Sequence, residues 1–424
     1  MNYLKRKYDE VLQRKLKSSG AVLIEGPKWC GKTTTALQIA RSVLYMQKPD
    51  EVRQNIEMSE LDPGRLLAGD TPRLIDEWQI APNLWDAIRY EVDVRNDFSQ
   101  FILTGSSMPA DFSQIYHSGT GRITRMLMHT MSLHESGDSN GQVSLSTLFR
   151  GDEKISGKNE LDLQDLAFLI CRGGWPRSIG EDDEIALLLA ENYYEGVVNS
   201  DINRADGVTK DPEKVKRLMR SYAKNLCSQA KSDTIIREIR GERRNEGLSK
   251  LTVNSYINAL KKIFVIEDAS AWNPSLRSKT TVRTSDTRYF TDPSIGIQAL
   301  GLGPQDLLDD LATMGLFFEN MCIRDLRVYA DLLGGTVYHY KDRNNLECDA
   351  VIHLKNGKYG LIEIKLGGDK LIEEGTETLI NLTNKIDVDV MKAPAFRMVL
   401  TGTGTYAYQR KDGIFIIPIG CLKE

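Results

Sequence analysis

Residues 26–34 read Gly26-Pro27-Lys28-Trp29-Cys30-Gly31-Lys32-Thr33-Thr34. A glycine, four free positions and Gly-Lys-Thr is the spacing of a loop whose backbone N–H groups wrap a nucleotide's phosphates. In such a loop Lys32 supplies a point charge to the β- and γ-phosphates, and the Thr33 hydroxyl ligates Mg2+. Two further stretches offer matching chemistry. Arg73-Leu74-Ile75-Asp76-Glu77 ends an apolar run in adjacent acids, suited to metal support by Asp76 and polarisation of an attacking water by Glu77. The stretch FILTGSS, 101–107, ends in hydroxyls, and Thr104 or Ser106 is the candidate for a polar group beside the γ-phosphate. A second constellation lies far downstream: Glu319, Asp349, and the Glu-x-Lys pair Glu363 and Lys365. Two carboxylates there suit a divalent cation, and the lysine suits orientation or activation of water.

These side chains need particular elements under them. Ala21-Val22-Leu23-Ile24-Glu25 is a short apolar, β-branched run that reads as a buried strand ending at the glycine. The apolar spacing after the loop, over 33–40, predicts a helix, so the motif has its strand–turn–helix setting. The runs 73–77 and 101–107 read as further strands, with the third lying between the two motif strands. Downstream, 316–320 reads as part of a helix, and 345–352 and 358–365 as strands. Period two then puts Glu363 and Lys365 on one face. Glu347 shares its face with Asp349 and is the rival acid.

The phosphate loop, RLIDEWQ, FILTGSS and GTGRITRMLMHTMSLHES together resemble the bacterial and archaeal AAA-type ATPases that carry an uncharacterised C-terminal region. The resemblance implies a sensor role for the polar residue of the third strand. It also implies that the Gly121-Arg122 pair brings an arginine to the γ-phosphate, with Arg125 as the rival. Gly26 through Thr34 would contact the nucleotide, although Lys28 and Cys30 depart from the family's usual residues. Cys30, beside Lys32 at a helix N-terminus, is expected to be a reactive thiol that makes the site redox-sensitive, and Trp29 a fluorescent reporter of it.

The turn cluster 136–141 and the polar stretch 151–160 close the first segment. Arg172-Gly173-Gly174-Trp175-Pro176 reads as a tight turn with an aromatic plug. Helices are expected over 213–227, 233–240 and from 249. In the last, Val253, Tyr256, Ile257, Leu260 and Ile263 fall on one apolar face. With a strand expected at 264–268, three helices suggest a winged-helix module, as in the resembled family. Its third helix would turn Asn254, Ser255, Asn258, Lys261 and Lys262 toward DNA, preceded by Arg237, Arg240, Arg243 and Arg244. The alternative is a packing module with a solvated polar face. The C-terminal constellation resembles the PD-(D/E)xK nuclease core, with helix acid, strand Asp, hairpin and Glu-x-Lys all filled.

The resulting organisation is α/β: a P-loop ATPase core of AAA type (1–150), a helical linker with a winged helix (151–290), and a restriction-endonuclease-like domain (291–424). The expected ligands are ATP and Mg2+, with DNA, a homo-oligomer or a protein partner left open. The alternative is a non-catalytic, nucleotide-controlled binding switch with a degenerate nuclease fold. Net charge of −4 argues against a strongly basic nucleic-acid binder. Six scattered cysteines read as reduced thiols and the five histidines show no ligand spacing. No apolar run of membrane-spanning length and no leader is legible at the charged start, so a cytoplasmic location is expected.

Overall fold

The computed structural model describes residues 3–106, 116–151, 154–242, 249–273, 285–386 and 391–424. The chain forms two compact units. One comprises Met1–Thr130, Gly196–Pro212 and Ser255–Val265, and the other Met131–Glu195, Glu213–Asn254 and Ile266–Glu424.

The first unit is built on five strands: β1 (Ala21–Glu25), β2 (Ser42–Tyr45), β3 (Arg73–Asp76), β4 (Phe101–Thr104) and β5 (Ile123–Leu127). Their order is β2-β3-β4-β1-β5 and every neighbouring pair is parallel. The apolar runs of β1 and β4 are buried along their length, as strands covered on both faces require. Leu23, Ile75, Leu103, Trp78, Trp85 and Ile88 share one core. The register aligns Ile24 with Thr104 and Thr104 with Asp76. The carboxyl ends of β1, β3 and β4 therefore finish at one level, and the third strand lies between the two motif strands as expected.

The second unit carries a seven-stranded mixed sheet in the order β7-β12-β13-β11-β10-β9-β8. Its strands are β7 (Gly157–Lys158), β8 (Gly335–Lys341), β9 (Glu347–Leu354), β10 (Tyr359–Lys365), β11 (Phe396–Thr401), β12 (Tyr406–Gln409) and β13 (Phe415–Pro418). A two-residue strand, β6 (Val143–Ser144), pairs with β14 (Leu422–Lys423). The helix Leu311–Leu333 precedes an antiparallel β8-β9-β10 meander, and the helix Asp369–Lys385 connects β10 to its parallel neighbour β11.

The Gly-Gly-Trp-Pro turn is a packing feature. A Cβ on Gly174 would lie 2.1 Å from the Met131 carbonyl oxygen. Trp175 stacks 3.9 Å from Tyr193 and donates from Nε1 to Ser294 Oγ at 2.9 Å.

The three middle helices are Pro212–Lys224, Ser232–Glu242 and Lys250–Lys262. Val253, Tyr256, Ile257, Leu260 and Ile263 are buried, and Ser255, Asn258 and Lys262 are exposed. The strand expected at 264–268 is not formed. Single bridges join Ile266 to Phe290 and Ala269 to Thr287, and Phe264 takes a left-handed φ of 59° that breaks extension. Arg243, Arg244, the side chain of Arg240 and Ser107 lie outside the described residues.

Candidate functional site

The phosphate loop takes its shape from a few backbone positions. Gly26 has φ of 144°, and a Cβ there would lie 2.2 Å from the Met128 carbonyl oxygen. Gly31 caps the helix Lys32–Leu37 at φ of 100°, a region L side chains avoid. Trp29 between them is left-handed at φ of 64° and 49% exposed. Cys30 is fully buried, its sulfur 3.4 Å from the place a Gly26 Cβ would take. That burial stands against the reactive-thiol expectation, since reactive cysteines are partly exposed.

Because the strand ends are level, the predicted residues meet. Thr33 and Thr104 both donate to Asp76 Oδ1, each at 2.6 Å. Gln47, just past β2, donates to Asp76 Oδ2 at 2.7 Å. Lys32 Nζ donates to the Gly26 and Pro27 carbonyl oxygens at 2.9 and 2.7 Å. Glu77 sits at φ of 57°, just past β3, and its Oε2 accepts from Gln79 Nε2 and from Ser106 Oγ, the latter at 3.3 Å. Thr104 thus serves Asp76 and Ser106 serves Glu77. The cluster of Thr33, Asp76 and Thr104 consists of hard oxygen donors, a set that fits Mg2+.

Arg122 is not brought to this cluster. It precedes β5, whose first residue aligns with Ala21, and its carbonyl accepts from the Ala21 N–H. The loop follows the other end of β1, so about 15 Å of strand separates the two. The Arg122 side chain pairs with Asp93 at 2.7 Å. Arg125 lies further along β5 and binds Glu25 at 2.8 Å.

Three partners of the site carry no sequence signal. Arg6, buried ahead of the first helix, donates to the Cys30 and His129 carbonyl oxygens at 2.5 and 2.9 Å. Asp201 forms an ion pair with Lys28. Gln47 lies beyond a strand that the residue pattern does not single out. All are distant in sequence from the carbonyl, ammonium or carboxylate they hold, and no motif marks them.

The second constellation also assembles. Asp349 on β9 and Glu363 and Lys365 on β10 share a sheet face. The β9–β10 ladder stops at Ala350 and Ile362, and the Asp349 carboxylate takes the next amide, Ile364 N–H, at 2.7 Å. Lys365 Nζ lies 2.7 Å from Glu363 Oε2 and 3.3 Å from Asp349 Oδ2. Gly375 lets the helix Asp369–Lys385 close over this pair, since its Cβ would lie 3.3 Å from Glu363 Cβ. Glu347 pairs instead with Lys341 on β8, which leaves Asp349 as the acid of the cluster. Glu319 accepts from Tyr289 Oη at 2.6 Å. Lys365 bridges the two strand acids where a cation was expected, and among the described residues no group of three or more His, Cys, Asp or Glu side chains is arranged to hold a metal ion.

Burial and then the Asp349 charge push both Glu319 and Glu363 above the usual carboxylate range. Burial opposes the Lys365 charge, but Asp349 and Glu363 outweigh it and push that group up. A raised carboxyl binds its proton more tightly folded than unfolded. Its contribution to stability is therefore full below the unfolded value and falls as pH rises through the folded one. Glu319→Gln keeps the acceptor for Tyr289 and removes the ionisation. The variant should gain on the wild type in urea midpoint between pH 5 and pH 9. A constant difference across that range would contradict the assignment.

Three family models match the chain: an AAA domain over residues 18–137, a domain of unknown function (DUF8612) over 163–306, and a domain of unknown function (DUF4143) over 314–422. No curated protein matches. Among solved structures, the chain is similar to the Walker-type ATPase PABY2304 of Pyrococcus abyssi, with 12% identity and a TM-score of 0.43 over 70% of this chain and 96% of that one. It is also similar to the ORC2 protein of Aeropyrum pernix, described in ADPNP–ADP complexes, with 11% identity and a TM-score of 0.29 over 72% of this chain and 94% of that one. Among the described residues no helix is long and apolar enough to cross a membrane. The site at the ends of β1, β3 and β4 lies within the segment that the AAA domain model matches, residues 18–137.

Proposed function

We propose that the first unit binds Mg-ATP and hydrolyses it. The observation that carries this is the meeting of Thr33, Asp76 and Thr104 at one carboxylate oxygen, beside the loop that holds Lys32. Backbone N–H groups within 28–33 and the Lys32 ammonium bind the phosphates, and Thr33 with Asp76 would hold Mg2+. When bound, the ion neutralises charge on the β- and γ-phosphate oxygens. Glu77 accepts a proton from the attacking water and orients it toward the γ-phosphorus. Gln79 and Ser106 fix that carboxylate. Phosphate release from ATP by the full chain, supported by Mg2+ and stopped by EDTA, tests the reading. No release under either condition sinks it.

A second reading concerns the C-terminal constellation. The order helix, β8, β9, β10, helix, β11, with Asp349, Glu363 and Lys365 on one face, supports a nuclease-like unit coupled to the ATPase. Fold alone does not fix activity. Cleavage of DNA or RNA with Mg2+ or Mn2+ that disappears in Asp349→Ala supports a working nuclease. Intact substrates with both ions support a nucleotide-controlled binding switch. Retained, salt-sensitive DNA binding would then favour the switch over the nuclease.

A further inference from the structure

The chain re-enters the first unit at Gly196 and there forms a π-helical turn, Val197–Asp201, leading into the short helix Ile202–Arg204. Such wide turns are rare and concentrate at functional sites. This one ends on Asp201, whose carboxylate is ion-paired with Lys28, the third residue of the phosphate loop. Asp201 is 15% exposed at its side chain and Lys28 33%. Among the described residues Asp201 is the single recorded partner of the Lys28 ammonium. An ammonium has three donors, so two remain for another acceptor.

A carboxylate held against a phosphate loop is an electrostatic anomaly. Unneutralised, Asp201 would repel a polyphosphate, and more strongly the more charge the polyphosphate carries. Lys28 removes that repulsion and adds an attraction. Its neighbours fix where it acts. Trp29 turns the loop through a left-handed residue, and Arg6 anchors the next carbonyl, that of Cys30. Lys28 therefore sits on a braced arm of the loop. Lys32 lies at the other end of the loop, with its ammonium on the carbonyls of Gly26 and Pro27.

We propose that Lys28 is a second phosphate-binding lysine, directed to the terminal phosphate of a nucleoside triphosphate, and that Asp201 is its positioning residue. The pair makes the loop prefer a triphosphate over a diphosphate. This rests on the reading of the loop as an ATP site.

The test is equilibrium binding of ATP and of ADP to the full chain, followed by Trp29 fluorescence and checked by calorimetry. Lys28→Met should weaken ATP about tenfold and ADP less than about twofold, because a charge-assisted bond to the terminal phosphate is lost. Lys28→Arg should keep the preference. Asp201→Asn placed in the Lys28→Met background should recover about threefold of the ATP loss, since the stranded carboxylate is gone. Asp201→Glu should stay within about twofold of the wild type. Lys28→Met and Lys28→Arg proteins with equal ATP-to-ADP ratios, both at the wild-type value, would overturn the proposal while leaving the ATP site intact. A wild-type chain that binds neither nucleotide would remove the ATP reading itself and this proposal with it. Unchanged thermal melting of each variant separates binding effects from misfolding.

Discussion

Glu77→Gln should cut the rate of ATP hydrolysis by about a hundredfold or more while leaving ATP affinity within about threefold. The direction follows from placement. Glu77 lies one residue past β3 at a left-handed φ, its carboxylate held by Gln79 and Ser106, and it has no part in the Thr33–Asp76–Thr104 cluster. Glutamine keeps an acceptor oxygen for those donors but takes no proton from water. Binding energy comes from the loop amides, Lys32 and the metal-facing oxygens, which the substitution does not touch. Pre-steady-state binding by Trp29 fluorescence, with phosphate release in the same mixture, separates the two effects. Equal losses in affinity and turnover would mean that Glu77 holds the loop and does not serve the chemistry.

The second large effect lies in the other unit and concerns stability. Arg324 is buried, with Nε and Nη2 on Asp325 Oδ1 at 2.9 and 2.7 Å and Nη1 on Asp292 Oδ2 at 3.3 Å. The two acids in turn hold backbone. Asp292 accepts from Gly174 N–H at 2.9 Å and Ser294 N–H at 3.1 Å, and Asp325 from Leu133 N–H at 2.9 Å. Arg324→Met would take the guanidinium away from two buried carboxylates, a loss of about 3–5 kcal/mol. That is a large fraction of the roughly 5–15 kcal/mol by which a domain is stable. Burial already pushes Asp325 up to about 6 against the pull of Arg324. Without the arginine Asp325 favours its protonated form more strongly. The variant's stability should therefore fall more steeply than the wild type's as pH rises from 5 to 8. Urea unfolding at the two pH values reads this, and a loss below about 1 kcal/mol at pH 8 would contradict the assigned role.

The phosphate-loop site was legible in the sequence where chemistry and strand ends coincide. An apolar run followed by a polar residue marks the carboxyl end of a buried strand, and in a parallel sheet those ends gather on one side. Asp76, Glu77 and Thr104 carry that mark, and the loop spacing marks Lys32 and Thr33. Arg122 does not, because it precedes its strand. The same run of residues reads alike in either direction, and only the parallel register of β5 on β1 places Arg122 at the far edge. Arg6, Gln47 and Asp201 were invisible for another reason. Each holds a loop carbonyl, a carboxylate or an ammonium from a distant part of the chain, and such contacts leave no periodicity. In the C-terminal unit, period two placed Glu363 with Lys365 correctly. The choice between Glu347 and Asp349 needed the β8 neighbour, where Lys341 takes Glu347. The strand expected at 264–268 had the right residue types but no long ladder to join, since β propensity reflects pairing context more than intrinsic preference.

The most direct test of the ATPase account is Lys32→Ala in the full chain, assayed for ATP binding and for Mg2+-dependent phosphate release beside the wild type. The predicted result is loss of both, with thermal melting of the protein unchanged apart from the nucleotide-induced shift, which should vanish. A Lys32→Ala protein that binds and hydrolyses ATP like the wild type would contradict it.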